Sequence, residues 1–577
     1  MTDFPSPFEP APPRRPLSTR AKLFRGATRL VTGPAWKKLV EASHDPRAAA
    51  TAKLLEIVAR NADTAFGREH GFGSIRAIED YQRAVPARDF DGLSPWLDRV
   101  VEGEKKVLTA DEPTWFGQSS GTTGKPKLIP ITPSYFKEFI LGRSLFARAL
   151  AENLPQLADG AELGMVSPKI QGRTPGGVPY GSITGKIEAA KPEWVKNGDT
   201  YPLGLFECDD FEKKYYLLLR VALENKITRI HTANPSTVVL LARKLDEYAE
   251  RLIRDLESGG ADAMDGLDPA LVAAVRKRIK GPNRALADKL RRLKGTHGRL
   301  RFPDVWDEFA AVLCWKGGSA PFYLQQFPQW FGDDLPVHEI GYAATEGSFT
   351  VPLSAKASDG VLAMPAAFVE FLPEDARDSG DLSAAVDASK VEVGGRYFTL
   401  LTTSAGLYRY DINDLVEITG FFHRAPRLKF LHKGGNMLSI TGEKLGESHV
   451  VEAMRHVQTA LGIELKGFTV SVDLSGLVPR YLFYVEAPGL AASARLRELL
   501  HACDAELMRT NLEYEAKRGS LRLANPSLIV VPEGSYDGYR RSRVAAGAPD
   551  AHVKALHLAR DRAQPDAFGA SATTEWE

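Results

Sequence analysis

The sequence predicts an α/β protein in two parts: a large N-terminal domain of mixed β-sheets with flanking helices, and a smaller α+β C-terminal domain. Three observations carry that expectation. Short apolar segments separated by turn residues alternate with helical stretches through most of the chain, the pattern of a mixed α/β sheet. Glycine-rich or polar clusters follow several of those segments, and in open α/β sheets ligands gather outside the carboxyl ends of the strands. After Lys433 the character changes to two strand-like runs, GFTVSV and YLFYVEA, a long helix near SARLRELLHACDAELMRTNLEY, and a further strand SLIVV.

Taken in order, residues 1–25 (MTDFPSPFEPAPPRRPLSTRAKLFR) hold Pro and Arg but no apolar run suited to a signal-peptide core, so they are expected to be a disordered tail. From Ala21 to Val101 the pattern is helical and amphipathic, as in AAATAKLLEIVARNADTAFG, whose final glycine suits a helix C-terminus. The candidate strands then follow in PTWFGQ, LIPIT, AELGMVS, ITRIHTANPS, AAVLCWKGGS and LPVHEIGYAATEG. Thr132 with Pro133 behind it reads as an N-cap and first-turn pair, and Tyr135, Phe136, Phe139, Ile140 and Phe146 repeat at helical spacing. The expected domains are 26–430 and 431–565, with a second tail over 566–577.

Composition narrows the function classes. The 577 residues carry 74 Lys and Arg against 73 Asp and Glu, a formal charge of +1, so no global field draws the chain to nucleic acid or anionic membrane. Eleven Lys or Arg residues lie between Arg276 and Arg301 with one acidic residue, Asp288, but the leucines in ALADKLRRLKG favour an amphipathic helix with a solvated face. Cys208, Cys314 and Cys503 form no CxxC pair, which points to neither a disulfide framework nor a thiolate zinc site and suits a reducing compartment. No segment approaches the ~18 continuous apolar residues of a membrane helix. The expectation is a cytoplasmic monomer without nucleic-acid or membrane partners.

The densest chemistry lies in FGQSSGTTGKPKLIPIT, Phe116 to Thr132, where seven of eight residues from Gly117 to Gly124 are Ser, Thr or Gly. Three readings compete. As a nucleotide loop, Gly121 and Gly124 would expose backbone N–H groups, and Ser119, Ser120, Thr122, Thr123 and Lys127 would add hydroxyls and charge for polyphosphate oxygens. It is not a Walker A loop, because Pro126 follows Lys125. As a nucleophile elbow, GQSSG would make Ser119 the nucleophile of a serine hydrolase, although no His and Asp stand out as partners. As a plain Gly/Ser turn it would do neither.

Two downstream segments favour the first reading. HEIGYAATEG places Thr345 and Glu346 at the end of an apolar strand, where a carboxylate can hold magnesium on phosphate oxygens. GLYRYDINDLVEITGFF sets Asp414 before an alternating strand, where a carboxylate can accept both hydroxyls of a ribose. His449, Glu452 and His456 share one face of a probable helix, a spacing commoner on a solvated face than in a metal site.

In this order and at these separations the segments resemble the adenylate-forming superfamily of acyl and aryl ligases. Within it they are most similar to the plant auxin-responsive Gretchen Hagen family of acyl-acid amido synthetases and its bacterial relatives. The resemblance runs from TAFGREHGF through VEGEKKVLTADEPTWFGQSSGTTGKPKLIPIT, CWKGGSAPFYLQQFPQWFG and GLYRYDINDLVEITGFFHRAPRLKFLHKGGNMLSITGEKLGE to HVKALHL. It implies the adenylate-forming enzyme fold, with ATP as co-substrate and Mg2+. It further implies that Ser119, Ser120, Gly121, Thr122, Thr123 and Gly124 form the phosphate loop, with Ser120 and Thr123 catalytic, and that Gly318 and Ser319 line the adenine side. Tyr342, Ala343, Thr345 and Glu346 would contact adenine, α-phosphate and metal, with Glu346 the magnesium ligand, and Asp414 would take the ribose. Lys444 and Lys554 fall where the family has lysines that approach the nucleotide when the C-terminal domain rotates about a hinge near Leu428 to Lys433.

The chain departs from the family's usual pattern at Asp411 and Asn413, where arginine and glycine are usual, and at Lys433, where arginine is. The implied reaction adenylates a carboxylic acid and passes the acyl group to an amine, most directly an amino acid. The alternatives are a thiol acceptor of the coenzyme A type, the Ser119 hydrolase, and a nucleotide-binding module without catalysis.

Overall fold

The structure, a computed structural model, describes residues 7–577 apart from 12–15, 120–126, 165–169, 191–199, 209, 318–319, 325, 435–436, 464, 488, 491–492, 537, 540–541, 543–556, 560–561, 571, 575 and 577. The chain divides after Gly434 into two compact units. Met1–Ser119 and Leu128–Gly434 belong to the first, and Gly435–Glu577 to the second.

The first unit opens on helices α1 (Thr19–His44) and α2 (Pro46–Arg60). Ser18 caps α1 by accepting from the Ala21 N–H, and Asp45 caps α2 ahead of Pro46, a side-chain acceptor just before a proline-tolerant first turn. The tail expected over 1–25 is therefore shorter than the proline and arginine content suggested. Helix begins at Thr19, and Glu9 bridges Ser354, its N–H donating to Leu353 O at 3.1 Å. Gly67 ends no helix either. It lies inside Ala65–Glu69, where a β-carbon would come within 2.1 Å of Asn61 O.

Three sheets follow. Strand β1 (Trp115–Ser119) sits between β2 (Lys127–Ile131) and β5 (Pro179–Gly181), with β4 (Gly172–Arg173) beyond; β1 and β5 run parallel. Strands β3 (Ala161–Gly164), β6 (Ile227–His231), β7 (Ala311–Leu313) and β8 (Val337–His338) form a wholly parallel sheet. The third sheet has seven antiparallel strands, in the order β11 (Thr350–Val351), β12 (Gly360–Leu362), β17 (Ala425–Lys433), β16 (Leu407–Phe422), β15 (Arg396–Thr403), β13 (Phe368–Pro373) and β14 (Val386–Asp387). A small hairpin pairs β9 (Ala343–Ala344) with β10 (Gly347–Ser348).

Helix α3 (Pro133–Asn153) leaves β2 through the expected cap, with Thr132 Oγ1 accepting from the Tyr135 N–H at 3.1 Å. The same hydroxyl donates to Ser404 O at 2.8 Å, so one threonine both starts the helix and ties it to the seven-stranded sheet. One core packs the entry helices on that sheet, through Leu54, Ile57, Phe66, Leu93, Tyr408 and Val416. Another buries the helices around the parallel sheet, through Leu163, Leu218, Ile230, Leu252, Phe302 and Val312. In the basic stretch 276–301 several cations meet acids, as in Lys289 with Asp307, Arg291 with Asp288, Lys294 with Asp246 and Arg301 with Asp304. That is the solvated, ion-paired face its leucines predict.

The second unit holds the hairpin of β18 (Met437–Leu438) with β19 (Leu445–Gly446), helix α4 (Glu447–Leu461), and a four-stranded sheet. The sheet runs β20 (Gly467–Asp473), β21 (Arg480–Glu486), β22 (Ser527–Val530) and β23 (Ala572–Thr574). The tail expected over 566–577 thus contains β23, which pairs antiparallel with β22. Three residues are too few to show an alternating pattern in sequence, and only an edge partner makes them a strand. Cys208, Cys314 and Cys503 are all buried and free. No helix among the described residues is long and apolar enough to cross a membrane.

Candidate active site

The site is assembled in the first unit from chain segments far apart in sequence. The β9–β10 pairing, Ala344 opposite Gly347, leaves Thr345 and Glu346 as a two-residue turn. Tyr135 of α3 donates its hydroxyl to Thr345 O at 2.5 Å. On the other side Gly117 of β1 lies so close that a β-carbon there would come within 2.3 Å of Thr345 Cγ2. The strand that leads into residues 120–126 therefore packs on the turn that carries Glu346, and only glycine permits the approach.

Tyr342, just before this hairpin, donates its hydroxyl to Asp414 Oδ2 at 2.8 Å, and Lys433 Nζ reaches Asp414 Oδ1 at 2.6 Å. The Tyr342 ring stacks on Phe430 with centroids 5.8 Å apart. Burial, then the Asp414 charge, raise the Tyr342 phenol well above its ordinary range, and Glu346 adds to the effect. Burial followed by Glu346 and Asp414 acts the same way on Tyr410. Both phenols stay protonated, and Glu346 and Asp414 each act to raise them.

Glu346 is 6% exposed, yet its carboxylate has no hydrogen bond or ion pair among the described residues. The carboxylate is thus uncommitted among the described residues and could take a divalent cation shared with phosphate oxygens. No group of three or more metal-type side chains occurs among the described residues, so a metal here would take most of its ligands from substrate and water, as Mg2+ commonly does. Glu346 fits that role. Asp414 spends one lone pair of each oxygen on Tyr342 and Lys433; each oxygen keeps a second for a ribose hydroxyl.

The departures at 411, 413 and 433 form one network. Arg377 donates to Asp411 Oδ2 at 2.9 Å and to Asn413 Oδ1 at 2.7 Å. Asn413 has φ +63°, the left-handed region that glycine enters freely and asparagine enters more readily than other residues. That accounts for asparagine standing where the family usually has glycine. Its side chain donates to Gly434 O at 2.7 Å, and Lys433 Nζ also donates to Ile412 O at 2.7 Å. The hinge expected at Leu428 to Lys433 falls inside β17, whose ladder with β16 extends to the pair Asp414 and Lys433. The ladder ends at Lys433, and the first unit ends at Gly434.

Glu339 is a site residue that the sequence does not advertise. It directly follows β8 and is 5% exposed; Oε2 accepts from the Lys316 N–H at 2.7 Å and Oε1 from the Gly341 N–H at 3.0 Å. Trp315 Nε1 also donates to Gly341 O at 3.1 Å. The segments after two neighbouring parallel strands, one leading to Gly318 and Ser319 and the other to Tyr342, are thereby clasped together. Burial, only partly opposed by the Lys316 and Gly341 N–H groups and the Lys316 charge, pushes the Glu339 carboxyl up to about 7. Below that pH a protonated Glu339 keeps one good acceptor oxygen and loses the other. Glu339→Gln is expected to raise the KM for ATP about 5- to 30-fold, the equivalent of one hydrogen bond of about 1–2 kcal/mol. It should also flatten a wild-type rise in KM as pH falls below 7. Steady-state kinetics from pH 6 to 8 read both, and an unchanged pH profile would refute the clasp.

Ser119 ends β1, and its side chain, like Ser120, Gly121, Thr122, Thr123, Gly124, Gly318, Ser319 and Lys554, lies outside the described residues. Lys127 opens β2. The described residues resume in β2, the sheet neighbour of β1, and a nucleophile elbow would turn from a strand into a helix. In the second unit Lys444 follows Glu443, whose buried carboxylate accepts from the Ile440 and Thr441 N–H groups at 2.8 and 2.7 Å and from the Tyr481 hydroxyl. Asn511 donates to Lys444 O at 3.0 Å, so the backbone that carries the lysine is fixed from both sides. His449 serves structure, its Nδ1 accepting from the Gly446 N–H at 3.1 Å at the start of α4.

The chain matches the GH3 family N-terminal domain over residues 35–337, the central domain over 360–433 and the C-terminal domain over 448–563. It belongs to the GH3 family. Among its relatives are the indole-3-acetic acid-amido synthetase GH3.3 of Arabidopsis thaliana, 26% identical over 86% of this chain and 86% of that one. Another is the 4-substituted benzoates-glutamate ligase GH3.12 of the same plant, 26% identical over 82% of this chain and 86% of that one. Among solved structures, the GH3.15 acyl acid amido synthetase in complex with 2,4-DB superposes with a TM-score of 0.64 at 19% identity, covering 94% of this chain and 97% of that one. At that identity the superposition shows that this GH3 chain shares the fold.

Proposed function

We propose that the chain is an ATP-dependent acyl-acid amido synthetase, which adenylates a carboxylic acid and transfers the acyl group to the amine of an amino acid. The observation that carries the reading is that Tyr342, which leads into the turn bearing Glu346, holds Asp414 by a hydrogen bond of 2.8 Å, with Gly117 packed on that same turn. Membership of the GH3 family supports it, since the relatives named above are an indole-3-acetic acid-amido synthetase and a benzoates-glutamate ligase.

A carboxylate resists an amine because it is charged and its oxygen leaves badly. In the first half-reaction a carboxylate oxygen of the acid attacks the α-phosphorus of ATP, the bond to the bridging oxygen breaks, and pyrophosphate leaves. Donors of Ser119 to Gly124 and Lys127 would stabilise the charge that moves onto pyrophosphate. Glu346 would hold Mg2+, which supplies a further positive charge to the phosphate oxygens when bound. Asp414, kept in place by Tyr342 and Lys433, would accept the ribose hydroxyls. In the second half-reaction the amine nitrogen attacks the acyl carbonyl and AMP leaves, so no enzyme nucleophile is needed. Lys444 and Lys554 would supply ammonium charge to the nucleotide as the C-terminal unit turns about a hinge close to Leu428 to Lys433. Three free, buried cysteines without a CxxC pair support a reducing, cytoplasmic setting.

The test is incorporation of labelled pyrophosphate into ATP over a panel of aryl, indolyl and fatty acids, followed by amide formation over a panel of amino acids. Exchange that depends on an added acid is the expected result. Hydrolysis of simple esters without ATP, or no exchange with any acid, would overturn the reading.

A further inference from the structure

Helix α1 bears an apolar strip that is exposed among the described residues. Leu30 and Val31 are each 81% exposed, Leu23 is 69% and Phe24 43% exposed. At about 100° per residue these four share one face with the exposed Ala27 and Pro34. The helix is firmly fastened on its other side. Ala21, Thr32 and Leu39 are buried, and Arg29 donates to both oxygens of Glu152 on α3, at 2.6 and 2.7 Å. The strip is therefore presented by a preformed helix, and four large exposed apolar residues within nine positions exceed the scattered exposure normal on a soluble surface.

Cations bracket the strip. Arg20 and Lys22 are exposed in the first turn and Lys37 and Lys38 near the last, Lys37 standing 3.7 Å from Glu41. No acidic residue occurs between Thr19 and Val40. We propose that this face of α1 docks on an anionic lipid surface, with the apolar strip entering the headgroup boundary and the four bracketing cations meeting headgroup anions. An exposed apolar face edged by Lys and Arg is the composition of interfacial helices, and basic residues next to a membrane gain from its negative surface potential. Charge decides against a second copy of the chain. Stacking two such helices, parallel or antiparallel, sets like charges at both ends against each other with no acid inside the strip to relieve them. The formal charge of +1, which predicts no membrane partner, averages this local patch away.

Sedimentation of the full chain with vesicles tests the proposal, using phosphatidylcholine alone and phosphatidylcholine with phosphatidylglycerol, at low and high salt. The expected result is at least about a tenfold preference for the anionic vesicles at low salt, lost as salt rises. Leu30→Ser with Val31→Ser should lower binding about tenfold at either salt, and Lys37→Glu with Lys38→Glu should lower it mainly at low salt. All four residues are exposed and outside the nucleotide site, so both variants should melt and exchange pyrophosphate like the wild type. Equal binding to neutral vesicles, no binding, or variants that bind like the wild type would overturn the proposal. So would a dimer in analytical ultracentrifugation that Leu30→Ser with Val31→Ser dissolves while vesicles stay bare.

Discussion

Glu346→Gln is expected to lower acid-dependent pyrophosphate exchange about 100- to 1,000-fold, the range seen when one group that stabilises transition-state charge is removed. The amide fills the same space, and Glu346 has no ion pair or hydrogen bond among the described residues to lose, so the melting curve should stay close to that of the wild type. The carboxylate sits at the tip of the β9–β10 turn, 6% exposed, and contributes charge more than packing. The deficit should show first as a need for more magnesium, because the amide holds a divalent cation far less well than a carboxylate. Exchange measured over a magnesium titration separates the two effects. A variant within about threefold of wild-type exchange at every magnesium concentration, far inside the hundredfold that such a group supplies, would remove Glu346 from the site.

Arg409→Met is expected to be the most damaging single change to stability, costing about 3–5 kcal/mol. The Arg409 guanidinium reaches both oxygens of the wholly buried Glu370, at 3.1 and 3.2 Å. It also donates to Gln82 O at 3.2 Å and Val85 O at 2.9 Å, tying the entry helices to the seven-stranded sheet. Without it, Glu370 keeps only the Gln82 amide at 2.9 Å. Burial already raises the Glu370 carboxyl, and loss of the Arg409 charge would raise it further. A carboxyl raised in the folded state takes up a proton on folding, so the destabilisation should be largest above neutrality and shrink as pH falls. Urea unfolding at pH 5.5 and 8 checks the sign. Arg409→Met with Glu370→Leu should recover much of the loss, since replacing both partners leaves no buried charge behind.

Much of this architecture is legible in sequence, and what is not has physical causes. Thr132 and Pro133 announce their helix because a cap is a local device whose donor lies three residues away. Gly117, Tyr342 to Glu346 and Asp414 fall in recognisable segments, and a resemblance carries their roles. Glu339 announces nothing, because its partners are backbone N–H groups, one of them 23 positions back at Lys316. Its position two residues before Gly341, a glycine at φ +88°, is the only local trace. Arg377 cannot be found without the fold, since it meets Asp411 and Asn413 from another strand's flank. Ser18 caps α1, but the proline and arginine around it read as tail. For β23 the deciding fact is the edge of β22, which no run of three residues can reveal.

The burial of all three native thiols has a practical corollary. Maleimide dyes attack accessible thiolates, so they should leave the natural protein largely unlabelled without any cysteine having to be removed. A pair of surface cysteines, one placed before Gly434 and one after, would then take up donor and acceptor fluorophores alone. Energy transfer between them, followed after adding ATP with acid and again after adding amine, would test whether the two units move between half-reactions.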